Sequence, residues 1–262
     1  MSVLPWATAM TKSNRAVFRT LVRQVGWRRA LGLTLIKVLR RVLAPHVHFH
    51  YSQTGEDLVL DFLKRRYISE GRPLTYVDVG CHDPRRISST YLQYLAGASG
   101  VCVDMDPKHA LPFRVERPRD VFACAAVSDS IAKVVVHEFD SSEVNTINAD
   151  QAVEWAKRWV PTGTRDMESV TLYELLQESG PGRAFDLLHL DVEGQELQVL
   201  RGANLDVFRP SIVICEIHGI DLSNAMSNPV VAFLSAKRFS MVAYATMNGY
   251  FVCDELRERF DR

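Results

Sequence analysis

The 262-residue sequence predicts an α/β fold with a doubly wound, mostly parallel sheet of seven strands and helices on both of its faces. Two observations indicate this class. Short apolar runs rich in β-branched residues alternate with segments of helical periodicity, as they do in successive βαβ units. Several of these runs stop at an acidic residue followed by a turn, which is typical of the carboxyl edge of a parallel sheet.

The predicted elements follow one another in regular order from Ser52 onward. Ser52 caps a first helix, and the strand Thr75 to Val79 follows it and ends at Gly80. The other predicted strands of the main sheet span residues 101–104, 121–127, 185–190, 212–217, 240–245 and 250–253, and residues 133–139 form an added antiparallel strand. The other predicted helices span residues 89–95, 151–160, 197–202 and 230–237, the first of them capped by Ser88 or Ser89.

The first 55 residues are strongly basic. They contain nine Lys or Arg and no Asp or Glu, whereas the remainder holds 22 basic and 31 acidic residues. Helical spacing of apolar residues through 16–43 predicts two basic amphipathic helices. We therefore divide the chain into a helical extension, residues 1–50, and a globular domain, residues 51–262. The extension is interpreted as a solvated cap, as a peripheral membrane contact through residues 12–43, or as an organelle transit peptide.

The five cysteines show no C-x-x-C spacing, and four of them lie in apolar, strand-like runs. This pattern favours a reduced, cytoplasmic compartment over a disulfide framework or a zinc site. No run approaches the roughly 20 apolar residues that span a bilayer. Binding to nucleic acid is not expected, because the body is acidic and few aromatic residues accompany the basic charges of the extension. The sequence does not indicate an oligomeric state.

Acids occur at or just after the carboxyl ends of five predicted strands. They are Asp78, Asp104, Asp129, Asp191 and Glu216. In a doubly wound sheet these strand ends form one crevice, so these acids are expected to converge. The loop that starts at Gly80 lacks the G-x-G-x-x-G pattern, which disfavours a nicotinamide dinucleotide. A cofactor without phosphates, carrying a positive sulfur and an amino acid tail, fits an acid-rich loop better.

Four motifs occur in order along the globular domain. They are YSQTGED at residues 51–57, VDVGCHDP at 77–84, AAVSD at 125–129 and LDVEGQEL at 190–197. Arg209-Pro210, leading to Cys215-Glu216, follows them. Together these motifs resemble the FkbM family of S-adenosylmethionine-dependent methyltransferases, over roughly residues 51–253. Cys81 departs from the resemblance, since small residues such as alanine are usual at that position.

The resemblance implies a Rossmann-like fold and S-adenosylmethionine as the cofactor. Gly80 would let the amino acid portion of the cofactor lie against the backbone, while Asp78 would order the loop and favour the positive charge. Asp104 would accept hydrogen bonds from both ribose hydroxyls. The other implied cofactor residues are Ser128 and Asp129 at the adenine, Gln53 and Glu56 in a lid, and His82, Asp83 and Asp106 in the loops.

Methyl transfer to a hydroxyl requires that the hydroxyl lose its proton, either to a general base or with the help of a metal ion. The candidate catalytic residues are Asp191, Glu193, Glu216 and His218. Asp191 is the first choice for the base, and His218 is the alternative, oriented by Glu216 or Asp191. In a second arrangement Asp191, Glu216 and His218 hold a divalent metal, and the histidine favours manganese over magnesium. We favour the metal-free base.

The leading functional hypothesis is an O-methyltransferase that acts on a hydroxyl of a sugar, glycolipid or related secondary metabolite. The basic extension favours an acceptor attached to lipid. An N-methyltransferase on the same fold is the nearest alternative, since an amine acceptor needs a weaker base. A non-catalytic interaction protein that retains the fold is the alternative from another class.

Overall fold

The computed structural model describes residues 22, 26–27, 30–32, 34–35, 49–68, 71–180 and 185–260. The helical extension predicted for residues 1–50, including the membrane contact predicted for residues 12–43, therefore lies almost wholly outside the described residues. No helix in the described part of the chain is long and apolar enough to cross a membrane.

Ten strands occur among the described residues. They are β1 (Thr75–Val79), β2 (Ser99–Asp104), β3 (Val121–Cys124), β4 (Ala126–Ser128), β5 (Lys133–Phe139), β6 (Pro161–Thr171), β7 (Leu187–Leu190), β8 (Ile212–Glu216), β9 (Phe239–Ala245) and β10 (Asn248–Cys253). The α-helices after residue 50 are α1 (Glu56–Tyr67), α2 (Tyr91–Leu95), α3 (Ala110–Glu116), α4 (Ala149–Trp155), α5 (Leu172–Ser179), α6 (Glu196–Gly202), α7 (Pro229–Ala236) and α8 (Asp254–Phe260).

Seven of these strands form the main sheet, in the order β3-β2-β1-β7-β8-β10-β9. β1 pairs in parallel with both β2 and β7, whereas β10 runs antiparallel to its neighbours β8 and β9. The predicted seven-stranded, mostly parallel sheet is thus confirmed. The strand order reverses between β1 and β7, and in open α/β sheets ligands bind in the crevice outside the carboxyl ends at such a switch point.

A second sheet of three strands, in the order β4-β6-β5, corrects two sequence predictions. The single strand predicted for residues 121–127 is divided, because the Ala125 N–H donates to the Asp104 carbonyl and β4 then pairs with β6 instead of the main sheet. The helix predicted for residues 151–160 ends at Trp155, and β6 begins soon after it. β5 is antiparallel to β6, as the alternation in residues 133–139 predicts.

The cap of α2 also differs from the prediction. Thr90, rather than Ser88 or Ser89, occupies the N-cap position, and its side chain makes no capping bond to the helix. Ser88 Oγ still accepts a hydrogen bond from the Tyr91 N–H at 3.2 Å, so this serine satisfies a backbone donor at the helix start.

Apolar side chains fill both faces of the main sheet because strand residues alternate between them. Val77 and Val79 of β1 belong to one buried cluster, together with Leu188 of β7. Tyr76 of β1 and Leu187 of β7 belong to the cluster on the opposite face. The strand ends are therefore held rigidly, which fixes the loops that follow them.

Candidate active site

A cavity open to solvent lies at the carboxyl ends of β1, β2 and β7, and the empty space in and just outside it is about 600 Å³. Its polar lining includes Gly80, His82, Asp104, Asp106, Ser142, Glu143, Asn145, Asp191, Glu193 and Gln195, and its apolar lining includes Val79, Val103, Ala125, Ala126, Val127 and Ile147. None of the described lining residues is Lys or Arg. The sheet thus gathers Asp104 and Asp191, which are distant in sequence, at one crevice.

The loop after β1 approaches the loop after β7 so closely that a side chain cannot fit between them. Gly80 has a φ of +81°, and a Cβ atom there would lie 1.6 Å from the Asp191 carbonyl oxygen. Its N–H donates to the Val103 carbonyl at 2.8 Å, which ties the loop to the end of β2. Only glycine satisfies both the backbone conformation and the contact. The backbone of this loop therefore forms part of the cavity wall.

Asp104 connects two of the loops that form the cavity. Its Oδ2 accepts a hydrogen bond from the His82 N–H at 2.9 Å, and its Oδ1 accepts one from the Asp106 N–H at 2.8 Å. Burial raises the pKa of Asp104 above its usual value, although both of these bonds oppose the shift. Each carboxylate oxygen has a second lone pair, so the group retains capacity for ligand hydroxyls.

Asp78 does not line the cavity, contrary to the expected convergence of all five acids. It is 2% exposed, and its Oδ1 lies 2.8 Å from Nδ1 of the buried His189. Burial alone would raise the pKa of Asp78, but the His189 charge and the bonds from His189 and Thr90 outweigh it and lower this pKa. Burial alone would lower the pKa of His189, but the charge of Asp78 and its hydrogen bond to the imidazole outweigh burial and raise this pKa. Asp78 therefore supports the Gly80 loop from beneath.

This buried pair gives a pH-dependent contribution to stability. Because the pKa of His189 is raised in the folded state, the charged imidazole stabilises the fold fully below about pH 6.5. This stabilisation is lost as the pH rises through the pKa of His189 in the folded state. Because the pKa of Asp78 is lowered in the folded state, the ionised carboxylate stabilises the fold fully above about pH 4. This stabilisation is lost as the pH falls through the pKa of Asp78 in the folded state. We expect His189→Gln to destabilise the protein by about 2 kcal/mol near pH 6 and by less than half of that near pH 9. Urea unfolding at both pH values tests this, and an equal loss at both would contradict the charged pair.

Arg117, which is fully buried, extends the polar network under the cavity. Its Nε donates to Asp120 at 2.6 Å, and its Nη2 donates to the Tyr76 hydroxyl at 2.7 Å and to Thr90 Oγ1 at 2.9 Å. Thr90 Oγ1 in turn donates to Asp78 Oδ2. A continuous chain of buried hydrogen bonds therefore joins the end of α3 to the strand beneath the Gly80 loop.

Three predicted catalytic residues form a cluster beside the cavity, where β7 and β8 end. One ligand atom each from Glu193, Glu216 and His218 lies within 4.8 Å of the other two. His218 Nε2 lies 3.1 Å from Glu216 Oε2, and the Trp155 Nε1–H donates to Glu193 Oε2 at 3.1 Å. Glu193 has a φ of +51°, unusual for a residue with a side chain, so the turn after β7 holds it in a strained conformation.

Burial and mutual repulsion perturb the acids of this region. Burial, Asp191 and Glu216 together raise the pKa of Glu193 to about 9. Burial and then Glu216 raise the pKa of Asp191 well above its usual value. The Glu216 carboxylate also raises the pKa of His218. Asp191 lines the cavity, whereas Glu193 is the acid whose carboxylate is grouped with Glu216 and His218.

The remaining predicted residues lie outside the cavity lining. Gln53 is exposed, and Glu56 accepts hydrogen bonds from the Thr54 backbone and hydroxyl. Asp83 caps a turn by accepting from the N–H groups of residues 85 and 86. Ser128 is partly buried at the end of β4, and the exposed Asp129 accepts from the Ser130 hydroxyl. The roles of these residues toward a cofactor stay predictions.

The sequence analysis singled out no individual residue of the segment that borders the cavity and contributes Ser142, Glu143, Asn145 and Ile147. Thr146 Oγ1 donates to the Glu193 carbonyl at 2.8 Å, and Asn148 Nδ2 donates to the Gly194 carbonyl at 2.8 Å. These bonds clamp the segment onto the turn after β7. Its residues are ordinary loop residues, so only the fold reveals their place.

A methyltransferase is the class of protein that this fold and this site define. Residues 78–241, more than half of the chain, match the model of the methyltransferase FkbM domain, and the chain belongs to that family. It is therefore an S-adenosylmethionine-dependent methyltransferase. No curated protein matches the chain in sequence.

Two solved structures are similar in fold to this chain. One is a TehB-like SAM-dependent methyltransferase from Corynebacterium glutamicum, with 11% identity, a TM-score of 0.39, and coverage of 86% of this chain and 99% of that one. The other is an O-methyltransferase from Bacillus cereus in complex with SAH, with 13% identity, a TM-score of 0.37, and coverage of 84% and 97%.

The residues of the cavity fit this cofactor. Asp104 offers buried carboxylate oxygens to hydroxyl donors, and the Gly80 loop offers a close approach of backbone. Ala126 and Ile147 provide apolar wall for a flat ring. The described lining lacks the cationic side chains that would pair with phosphates, in keeping with a cofactor that has none.

Proposed function

We propose that the protein transfers the methyl group of S-adenosylmethionine to a hydroxyl of a sugar, glycolipid or related secondary metabolite. The observation that supports this proposal is the adjacency of the cofactor cavity to proton-accepting groups. Asp191 and Glu193 line the cavity, and Glu193 also belongs to the cluster with Glu216 and His218. An aliphatic hydroxyl needs such groups during attack, because it must lose its proton.

The cofactor supplies a methyl group activated by a positive sulfur. In our proposal Asp104 accepts hydrogen bonds from the ribose hydroxyls, the Gly80 loop contacts the amino acid portion, and residues 125–127 border the adenine. With the ribose and adenine held in this way, the methyl group would face Asp191. Catalysis then consists mainly of aligning the acceptor oxygen with that methyl group.

The methyl transfer is a displacement at the methyl carbon. A lone pair of the acceptor oxygen forms the new bond to the methyl carbon, and the carbon–sulfur bond breaks with its electron pair kept by sulfur. The hydroxyl proton moves to the Asp191 carboxylate, the base we propose. His218, paired with Glu216 at 3.1 Å, is the alternative proton acceptor.

The acceptor is proposed to bind on the Trp155 side of the cluster. The Trp155 ring meets the His218 ring edge to face, with centroids 6.1 Å apart, so an aromatic wall stands beside the carboxylates. Such a wall suits the apolar face of a sugar ring while its hydroxyls meet the acids. A lipid attached to the acceptor, a cytoplasmic location and a peripheral membrane contact through residues 12–43 remain parts of this proposal.

The first test is incubation of the protein with methyl-labelled S-adenosylmethionine and fractionated cell metabolites, including lipid extracts. Label in an alkali-stable ether of a carbohydrate or glycolipid fraction is expected. Label in amines instead would favour the N-methyltransferase alternative, and failure to label any fraction despite cofactor binding would favour a non-catalytic role.

Asp191→Asn tests the assignment of the base. The amide keeps the size of the side chain but does not accept a proton at neutral pH, so turnover on the labelled fraction is expected to fall about 100-fold or more. The affinity for S-adenosylhomocysteine, measured by calorimetry, is expected to stay within about threefold, because Asp191 acts on the acceptor. Parallel loss of binding and turnover would refute this division of roles.

A further inference from the structure

We infer that Glu193, Glu216 and His218 bind a divalent transition-metal cation, with Mn²⁺ as the representative ion, next to the cofactor cavity. This inference rests on the proposed hydroxyl methylation, for which such a cation would hold the acceptor oxygen and lower the pKa of its hydroxyl. It also replaces the metal-free preference of the sequence analysis and substitutes Glu193 for Asp191 in the ligand set.

The geometry of the three side chains suits one ion. Their ligand atoms lie within 4.8 Å of one another, whereas ligands at about 2.1 Å from an ion are separated by about 3–4 Å. A side-chain adjustment of about 1 Å closes that difference, and the ligands come from two neighbouring strand ends of a rigid sheet. The Trp155 Nε1–H, 3.1 Å from Glu193 Oε2, orients one ligand as outer-sphere partners of metal ligands do.

Glu216 provides a second, independent observation. Its side chain is 11% exposed, and its Oε2 is shielded from solvent; this oxygen lies 3.1 Å from His218 Nε2, but outside hydrogen-bonding geometry, and accepts no hydrogen bond in the described part of the chain. A buried carboxylate oxygen without a donor is costly and indicates an absent partner. This oxygen belongs to the same cluster as the Glu193 carboxylate, so a cation at the cluster would satisfy both.

Carboxyl groups are also concentrated around the cluster. Asp191 and Glu196 lie near Glu193 and Glu216, and the ion pair of Glu216 among the described residues is with His218. Four carboxyl groups thus share a poorly solvated region without Lys or Arg partners among the described residues. Such a group of carboxyl oxygens can coordinate a divalent cation. One nitrogen and two oxygen ligands favour Mn²⁺ or a related ion over Mg²⁺, which prefers oxygen.

The test uses the full chain after treatment with chelator and desalting. Titration with MnCl₂, followed by the loss of the electron paramagnetic resonance signal of free Mn²⁺, is expected to show one tight site per chain. Glu216→Gln and His218→Gln are each expected to weaken this site about 10-fold or more, and Glu154→Gln, an exposed acid on α4, is expected to leave it unchanged. Circular dichroism verifies that each variant is folded.

Several outcomes would overturn the inference. These are no tight Mn²⁺ site in the unmodified chain, or a site that both ligand variants retain. Calorimetry with S-adenosylhomocysteine on the same metal-free protein separates this inference from the proposed function. Cofactor binding without Mn²⁺ binding rejects the metal site alone, whereas Mn²⁺ binding without cofactor binding rejects the proposed function and keeps the site.

Discussion

Replacing Arg117 with methionine is expected to lower the free energy of unfolding by about 3–5 kcal/mol, a large part of the stability of a typical domain. All five N–H donors of this fully buried guanidinium are used. They reach Asp120, Tyr76, Thr90, Ser88 and the carbonyl of Pro84. Methionine fills most of the volume, so the loss comes from stranded polar partners and not from a cavity.

The largest part of this loss comes from Asp120. Its side chain is fully buried, and without Arg117 its charge keeps, among the described residues, only the Tyr76 hydroxyl and the Gly100 N–H as strong donors. The double variant Arg117→Met with Asp120→Asn is therefore expected to be at least about 1 kcal/mol more stable than the sum of the single losses implies. Urea unfolding measures all three variants. If the free energy of unfolding of the single variant Arg117→Met lay within about 0.5 kcal/mol of that of the unmodified chain, the proposed importance of this network would be contradicted.

Asp104→Ala is expected to weaken binding of S-adenosylhomocysteine about 100-fold, the largest effect on the cofactor of any single change. Two hydrogen bonds from ribose hydroxyls to a carboxylate account for about 3 kcal/mol of binding. Alanine also removes the acceptor for the N–H groups of His82 and Asp106, so the loops after β1 and β2 lose this connection and keep the backbone bond from Gly80 to Val103.

Two matched variants separate these contributions. Asp104→Asn keeps one oxygen acceptor, and its affinity for S-adenosylhomocysteine is expected to fall about 10-fold. This affinity lies between those of the unmodified chain and Asp104→Ala. Glu154→Gln changes an exposed carboxylate away from the cavity lining and is expected to bind normally. If Asp104→Ala is folded and binds S-adenosylhomocysteine with unchanged affinity, the assignment of Asp104 to the cofactor site is wrong.

The strand ends were predictable because they obey local rules. The apolar run that ends at Gly80 predicts β1 within a residue, and the acids after β2 and β7 predict the cavity wall. Asp78 shows the limit of counting acids along the sequence. It shares a strand face with Tyr76 and not with Val79, so alternation directs it into the layer of Thr90 and His189 beneath the loop.

The parts of the site that escaped prediction depend on distant partners. β6 is rich in polar residues and forms a strand because β5 and β4 pair with it, which no local pattern in residues 161–171 reveals. Similarly, strand periodicity gives no reason to group Glu193 with Glu216 and His218, but the turn at Glu193 and Gly194 brings its carboxylate to them. Turns in unusual backbone conformations redirect side chains in ways that strand periodicity does not encode.

Calorimetric titration of the unmodified chain with S-adenosylhomocysteine tests most directly whether the crevice beside Gly80, Asp104 and Asp191 holds the cofactor. One molecule bound per chain, with micromolar affinity that Asp104→Ala abolishes or greatly weakens, is the expected result. A folded chain that releases no heat of binding, or one whose affinity is indifferent to Asp104, would contradict the account.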